Sequence, residues 1–300
     1  MSHFLEISQL SRKEIEELIQ RAIHFKHSSS YPSYAKQTMA NLFYENSTRT
    51  RVSFELAAQR LSIPVINIDL QSSSESKGEI IEDTVNTLAA MGIHYFVIRH
   101  KLNGLQQSLA ERLGNSIHII NAGDGTHAHP SQALLDIMTI IEQKPNLEQL
   151  KIAVLGNVRH SRVANSFQSM CSILGVGELV FIAPELWQPE LVHYGRVTNN
   201  LREGLSEADV VICLRVQRER LTDNDHLDLD AYRSSFALTQ NSLSYAKPDA
   251  MVMHPGPMNR GIEIDSDVAD GNQSFILRQV TNGVYSRMAI IESLILKSNG

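Results

Sequence analysis

The sequence predicts two α/β domains, each a parallel sheet flanked by helices, linked by long interdomain helices. Three observations carry this. At 300 residues the chain exceeds the usual size of a single domain. In both halves short apolar runs alternate with amphipathic stretches, the pattern of parallel strands joined by helical crossovers. Polar and cationic residues gather where those runs end, and open α/β sheets collect their ligands outside the carboxyl ends of the strands.

In the first half, Ser11 is placed to cap a helix over Lys13 to His27, with Glu14 three residues on completing a capping box. Met39 to Tyr44 reads as a short buried strand. Beyond it Val52, Phe54, Leu56, Ala57 and Leu61 recur at helical spacing. Val65 to Ile68 is a strand that leads into the polar loop Gln71 to Lys77. Glu79 to Met91 is helical, Tyr95 to Ile98 is a buried strand ending at Arg99, Leu105 to Leu113 is helical, and Ile117 to Ile120 is a strand. The turn-rich run Asn121 to Pro130 follows, and a long helix from Ser131 to about Gln143. Lys144-Pro145-Asn146 then punctuates the chain.

The second half repeats the alternation. Lys151 to Asn157, Leu179 to Pro184, Val210 to Leu214 and Ala250 to Met253 read as strands. Arg162 to Leu174 and Leu201 to Glu207 read as helices, and Val284 to Leu296 as a final helix long and apolar enough to dock on both domains. The expected division is a domain over 1–130, with the C-terminal helix 284–300 packed back onto it, and a second domain over 131–283.

Composition narrows the class. With 27 Lys+Arg against 33 Asp+Glu the net charge is −6, which speaks against a general nucleic-acid binder. An anionic substrate would then need a local basic pocket. Cys171 and Cys213 stand far apart and read as reduced core residues. No basic region followed by an apolar block opens the chain, and the apolar run from Leu134 to Ile141 is interrupted by Asp136. The expectation is therefore a cytoplasmic protein without a membrane span.

Several motifs are missing. Val154-Leu155-Gly156 lacks the further glycines of a dinucleotide fingerprint, and no P-loop, G-x-S-x-G elbow or H-E-x-x-H pair occurs. What the strand ends carry instead is Ser47 to Thr50, Arg99, His129 with Gln132, Arg162, Arg215 with Gln217, and His254 to Pro257. The run Ser47-Thr48-Arg49-Thr50 sits where a strand turns into a helix. There the first N–H groups lack intrahelical partners and the dipole is positive. Three hydroxyls and a guanidinium fork at such a place suit phosphate or carboxylate. Taken singly, Ser47 reads as a helix cap and Arg49 and Arg51 as solvated charges; together they point to an oxyanion site. His127 and His129 form a bare His-x-His without further ligands at sensible spacing, so no metal is expected.

These residues carry a family resemblance. Ser47-Thr48-Arg49-Thr50-Arg51 with Ser53-Phe54-Glu55 resembles the carbamoyl-phosphate motif of the transcarbamoylases, the aspartate and ornithine carbamoyltransferases. His129-Pro130-Ser131-Gln132 matches the family pattern H-P-x-Q. Arg215-Val216-Gln217-Arg218-Glu219-Arg220 resembles the aspartate-binding segment of the aspartate branch. His254-Pro255-Gly256-Pro257-Met258-Asn259-Arg260-Gly261-Ile262-Glu263-Ile264 matches a form common there, in which other members carry Leu at the place of Gly256. The cysteine segment of the ornithine branch is missing.

The resemblance implies transfer of a carbamoyl group from carbamoyl phosphate to L-aspartate, an early step of de novo pyrimidine biosynthesis, with no cofactor. It implies that Ser47, Thr48, Arg49, Thr50, Arg99, His129, Gln132, Pro255 and Gly256 hold carbamoyl phosphate. Arg49, Thr50, Arg99 and His129 would be catalytic, with His129 a donor to the carbonyl oxygen. Arg162, Arg215, Gln217 and Lys77 would hold aspartate, and Ser73 and Lys77 would come from a neighbouring subunit of a homotrimer. A regulatory chain or a dihydroorotase partner would fit such a trimer. The alternatives are an ornithine carbamoyltransferase-like enzyme and a non-catalytic anion-binding paralogue. Arg218 and Arg220 read as a solvated turn.

Overall fold

The structure is a computed structural model that describes residues 2–68, 79–216 and 228–298. It divides into two compact units, Met1–Met138 with Val280–Gly300, and Thr139–Gln279. Both divisions fall inside helices, whereas the sequence-based boundary was set at 130/131 and the punctuation at Lys144 to Asn146.

In the first unit the elements are α1 (Arg12–His27), β1 (Met39–Phe43), α2 (Thr48–Arg60), β2 (Val65–Asn67), α3 (Ile81–Ala90), β3 (Tyr95–His100), α4 (Leu105–Leu113), β4 (His118–Asp124) and α5 (Pro130–Ile141), which runs on past the unit's edge. The sheet order is β2-β1-β3-β4, all pairs parallel. Ala40, Leu42, Phe96, Ile98 and Ile119 pack against Val85 and Leu109 in one core cluster. Strands covered on both faces need mostly apolar residues, and the runs Met39–Phe43 and Tyr95 to Ile98 supply them. The expected capping box forms: the Ser11 hydroxyl takes the Glu14 N–H and the Glu14 carboxylate takes the Ser11 N–H.

The strand expected at Ile117 to Ile120 extends to Asp124, and every residue of it is buried. Its polar residues looked like turn formers but are bonded in place. The Asn121 amide donates to the Leu5 carbonyl at 2.9 Å, and Asp124 accepts the Gly104 N–H at 3.0 Å. A buried polar group with partners does not end a strand. The last helix of the chain, α11, returns to this unit from Val280 onward. There Glu292 takes Arg21 Nη2 at 2.7 Å and the Tyr34 hydroxyl at 2.8 Å, and Lys297 reaches Glu14 at 2.9 Å.

In the second unit follow β5 (Lys151–Leu155), α6 (Arg162–Leu174), β6 (Glu178–Ile182), β7 (Arg196–Thr198), α7 (Leu201–Leu205), β8 (Val210–Cys213), α8 (Leu229–Phe236), α9 (Gln240–Leu243), β9 (Met251–Met253), α10 (Ser266–Ala269) and the start of α11 (Ile276–Ser298). The sheet order is β7-β6-β5-β8-β9, again all parallel. Ala153, Leu155, Val180, Ile182, Val211, Val252 and Ile264 form its core. The edge strand β7 was not anticipated, because three residues with one buried side chain give no readable period. Cys171 and Cys213 are buried and unbridged, and burial pushes both thiols well above their usual range.

Candidate active site

The order of the first sheet explains why distant segments meet. β1, β3 and β4 are consecutive neighbours, so the residues that follow their carboxyl ends lie side by side. Phe43 stands opposite Arg99 in register, and the Tyr44 N–H donates to the Arg99 carbonyl at 2.9 Å. Arg99 is held from two sides: its Nε lies 3.1 Å from Glu45 Oε2, and Nη1 donates to the Ala122 carbonyl of β4 at 3.3 Å. The next residue, His100, is pushed below the ordinary histidine range by burial, and its Nδ1 accepts the Leu102 N–H at 3.0 Å. A neutral imidazole there does not compete with the guanidinium for an anion.

Ser47 occupies the N-cap position of α2 in an extended conformation, yet its side chain makes no capping bond. The first turn that follows contains Thr48 and Arg49, both exposed, and Thr50, which is buried. This helix end therefore keeps the anion-attracting character that a side-chain cap would use up.

His129 is buried between β4 and α5, 5% exposed. Its carbonyl accepts the Gln132 and Ala133 N–H groups at 3.0 and 3.3 Å, so it starts the first turn of α5. Gln132 is also buried, and its Nε2 donates to Asp136 Oδ1 at 2.8 Å. His127 is engaged elsewhere: Nε2 lies 2.6 Å from Glu6 Oε1, and this bond raises the histidine pKa and lowers that of the carboxyl. Among the described residues no group of three or more His, Cys, Asp or Glu is arranged around a metal position.

The second unit is built on the same rule. β5, β8 and β9 are consecutive, and they are followed by Arg162, Arg215 and His254 to Pro257. Arg162 opens α6 and is only 4% exposed. Gly156, at the end of β5, has φ +128°, and a Cβ there would come within 2.9 Å of the Leu214 carbonyl. Only glycine lets the β5 and β8 ends approach so closely.

Arg215 is half-buried, and the segment that carries it is anchored by a residue the sequence reading did not single out. Glu263 is fully buried and takes the Val216 N–H at 3.4 Å, the Asn259 N–H at 2.5 Å and the Asn259 amide at 3.0 Å. His254 Nε2 lies 3.3 Å from the same carboxylate, while its Nδ1 accepts the Gly256 N–H at 2.8 Å. One carboxylate thus ties the Arg215 segment to the His254–Pro257 turn. The signal for it was present in the motif, as a lone Glu between Ile262 and Ile264. Arg260 of that motif forms a bidentate pair with Asp270, at 2.7 and 2.8 Å. Ser73, Lys77 and Gln217, with Arg218 and Arg220, lie outside the described residues.

Chemically, the first unit assembles hydroxyls, a helix N-terminus, guanidinium groups and a buried histidine, a set suited to a phosphate and a polarised carbonyl. The second unit offers two guanidinium groups on adjacent strand ends, a set suited to carboxylates. No helix among the described residues is long and apolar enough to cross a membrane.

Comparison with known proteins gives concordant matches. Residues 2–142 match the family model described as aspartate/ornithine carbamoyltransferase, carbamoyl-P binding domain, and residues 148–294 match its Asp/Orn binding domain. An aspartate carbamoyltransferase catalytic subunit of Legionella pneumophila is 74% identical over 295 residues, covering 98% of this chain and 99% of the relative. Among solved structures, aspartate transcarbamoylase of Trypanosoma cruzi, in complex with carbamoyl aspartate and phosphate, aligns with a TM-score of 0.85 at 29% identity, over 97% of this chain and 95% of that one. An ornithine carbamoyltransferase of Pyrococcus furiosus aligns with a TM-score of 0.83 at 25% identity, over 96% of each. The fold is common to both substrate branches.

Proposed function

The chain belongs to the aspartate/ornithine carbamoyltransferase family, and from that premise we infer that it transfers the carbamoyl group of carbamoyl phosphate to L-aspartate. The products are N-carbamoyl-L-aspartate and phosphate, an early step of pyrimidine biosynthesis. The observation that carries aspartate over ornithine is the pair of guanidinium groups, Arg162 and Arg215, at the ends of neighbouring strands. Two forks match the two carboxylates of aspartate, while a cationic ornithine side chain would leave charge unpaired, which is costly. Gln217 belongs with them in this reading.

The roles follow from charge development. Ser47, Thr48, Arg49 and Thr50 take the phosphate at the N-terminus of α2. Thr50, Arg99 and His129 donate to the carbonyl oxygen, which gains negative charge as the α-amine of aspartate attacks the carbon. One such donor is typically worth about 3 kcal/mol. Gln132 and the carbonyls of Pro255 and Gly256 accept from the carbamoyl nitrogen. The tetrahedral intermediate collapses by expelling phosphate, which can itself take the amine proton, so no side-chain base is needed.

Assembly belongs to the same reading. Ser73 and Lys77 are supplied by a neighbouring subunit of a cytoplasmic homotrimer, to which a regulatory chain or a dihydroorotase partner can attach. Arg49→Ala and Lys77→Ala chains, each inactive alone, should then restore about a quarter of wild-type activity when dissociated, mixed and reassembled. No recovery despite chain exchange would place Lys77 outside the site or in the same chain as Arg49. The reaction itself is tested by phosphate release from carbamoyl phosphate, with aspartate and then with ornithine. Release with ornithine alone would move the chain to the other branch, and release with neither would make it a non-catalytic paralogue.

A further inference from the structure

Beneath the residues assigned to carbamoyl phosphate lies a buried cation that the reaction as described does not use. Arg287 of α11 is 3% exposed. Its Nη1 donates to the Gly283 carbonyl at 2.9 Å and Nη2 to the Ser131 hydroxyl at 3.4 Å, while Nε has no hydrogen-bond partner. The guanidinium carbon stands 4.9 Å from the centre of the Phe54 ring. Phe54 lies on α2, the helix that opens with Thr48 to Thr50, and Ser131 lies between His129 and Gln132. One side chain therefore touches both segments that carry the site.

A buried charge needs a counter-charge. Desolvation pulls the Arg287 pKa down to about 10, and Asp136 is the charged group that acts against this. Asp136 is itself fully buried and accepts the Gln132 amide N–H at 2.8 Å. The direction of that bond matters. An ionised carboxylate accepts only, so it takes the NH2 end of the amide. A protonated Asp136 could accept on one oxygen and donate from the other, so it would no longer hold the amide one way round.

We propose that Arg287 is a positioning residue for carbamoyl transfer. By keeping Asp136 ionised it fixes which way round the Gln132 amide sits, so that the oxygen is the end offered to the carbamoyl NH2. This rests on the assignment of Gln132 to the carbamoyl nitrogen. Gly283 is part of the same device: a Cβ there would fall 2.6 Å from Arg287 Nη1 and 3.3 Å from Leu135 Cδ2. A larger residue would push the guanidinium out of place without removing its charge.

The test is a double-mutant cycle on the full-length enzyme, read as KM for carbamoyl phosphate and kcat separately, with thermal melts to confirm folding. Arg287→Met should raise that KM about tenfold, the upper scale for one lost hydrogen bond. Arg287→Lys should recover most of the loss. In a Gln132→Ala background, Arg287→Met should add no more than about twofold, because its target is gone. Multiplying losses in the double variant would overturn the proposal and leave Arg287 a packing residue. Should Arg287→Met fail to fold, Gly283→Ala carries the same cycle, with the same expected non-additivity. If Gln132→Ala alone left the carbamoyl phosphate KM unchanged, the underlying assignment of Gln132 would fall instead, and the proposal with it.

Discussion

Two helices, one in each unit, begin with a serine, follow a strand and carry an arginine in the first turn, and they use that beginning differently. At α2 the Ser47 side chain makes no capping bond. At α6 the Ser161 hydroxyl accepts the Ala164 N–H at 3.2 Å, and just upstream Asn157 Oδ1 accepts the His160 N–H at 3.3 Å. The first helix end, in the proposed reading, is the one that takes the phosphate. The second is capped by its own chain, which in the same reading leaves anion recognition there to guanidinium groups. The serine-then-arginine signature alone does not tell the two apart; whether the hydroxyl turns back onto its own helix does.

The largest test of this contrast is at the reacting carbonyl. If the first unit performs the chemistry, His129→Ala should lower kcat about 100-fold or more at saturating substrates, the scale for one oxyanion donor. A kcat close to wild type with only weakened carbamoyl phosphate binding would reduce His129 to a placing role. The next effect belongs to the second unit. Arg215→Ala should raise the aspartate KM about ten- to a hundredfold, the range for a charge-assisted bond, and leave carbamoyl phosphate affinity within about twofold. Steady-state kinetics with each substrate varied in turn separates the two outcomes. Equal losses for both substrates would erase the division of labour.

A smaller effect tests how the second unit holds its arginine. Glu263→Gln keeps the shape but halves the acceptors for Val216, Asn259 and His254. It should raise the aspartate KM about three- to tenfold and lower the melting temperature, since a buried donor left unsatisfied is costly. An unchanged aspartate KM would mean that the Arg215 segment holds its place without Glu263.

How far these features were readable in the sequence depends on how local their causes are. α4 and α6 were anticipated residue for residue, because glycines flank α4 and Gly175 ends α6 in the left-handed conformation. The strand ends were legible because the alternation of elements places them on one edge of each sheet. Burial of polar groups was not. Asp136 read as an interruption in an apolar run, yet it lies wholly inside, bonded to Gln132. Asn121 and Asp124 read as turn formers and belong to a buried strand. Arg287 bonds Ser131 and Glu263 bonds Val216, both far away in sequence, and nothing in the local pattern names a distant partner.

The smallest expected effect bears most directly on the two serines. Ser161→Ala removes a side-chain cap, so it should cost about 1 kcal/mol of stability without ligand and lower the melting temperature of its unit by a few degrees. Ser47→Ala removes no cap, so the ligand-free melting temperature should hold. What it should lose is ligand-dependent. Stabilisation by a bound anion grows as RT ln(1 + [L]/Kd), so a weaker phosphate site shows as a smaller rise in melting temperature at the same phosphate concentration. Melting curves of both variants across a phosphate titration read the two effects on one scale. An equal ligand-free loss in both would mean that Ser47 caps α2 after all. A full phosphate response in Ser47→Ala would mean that the hydroxyl takes no part in holding the anion, leaving that to the N–H groups of α2 with Thr48, Arg49 and Thr50.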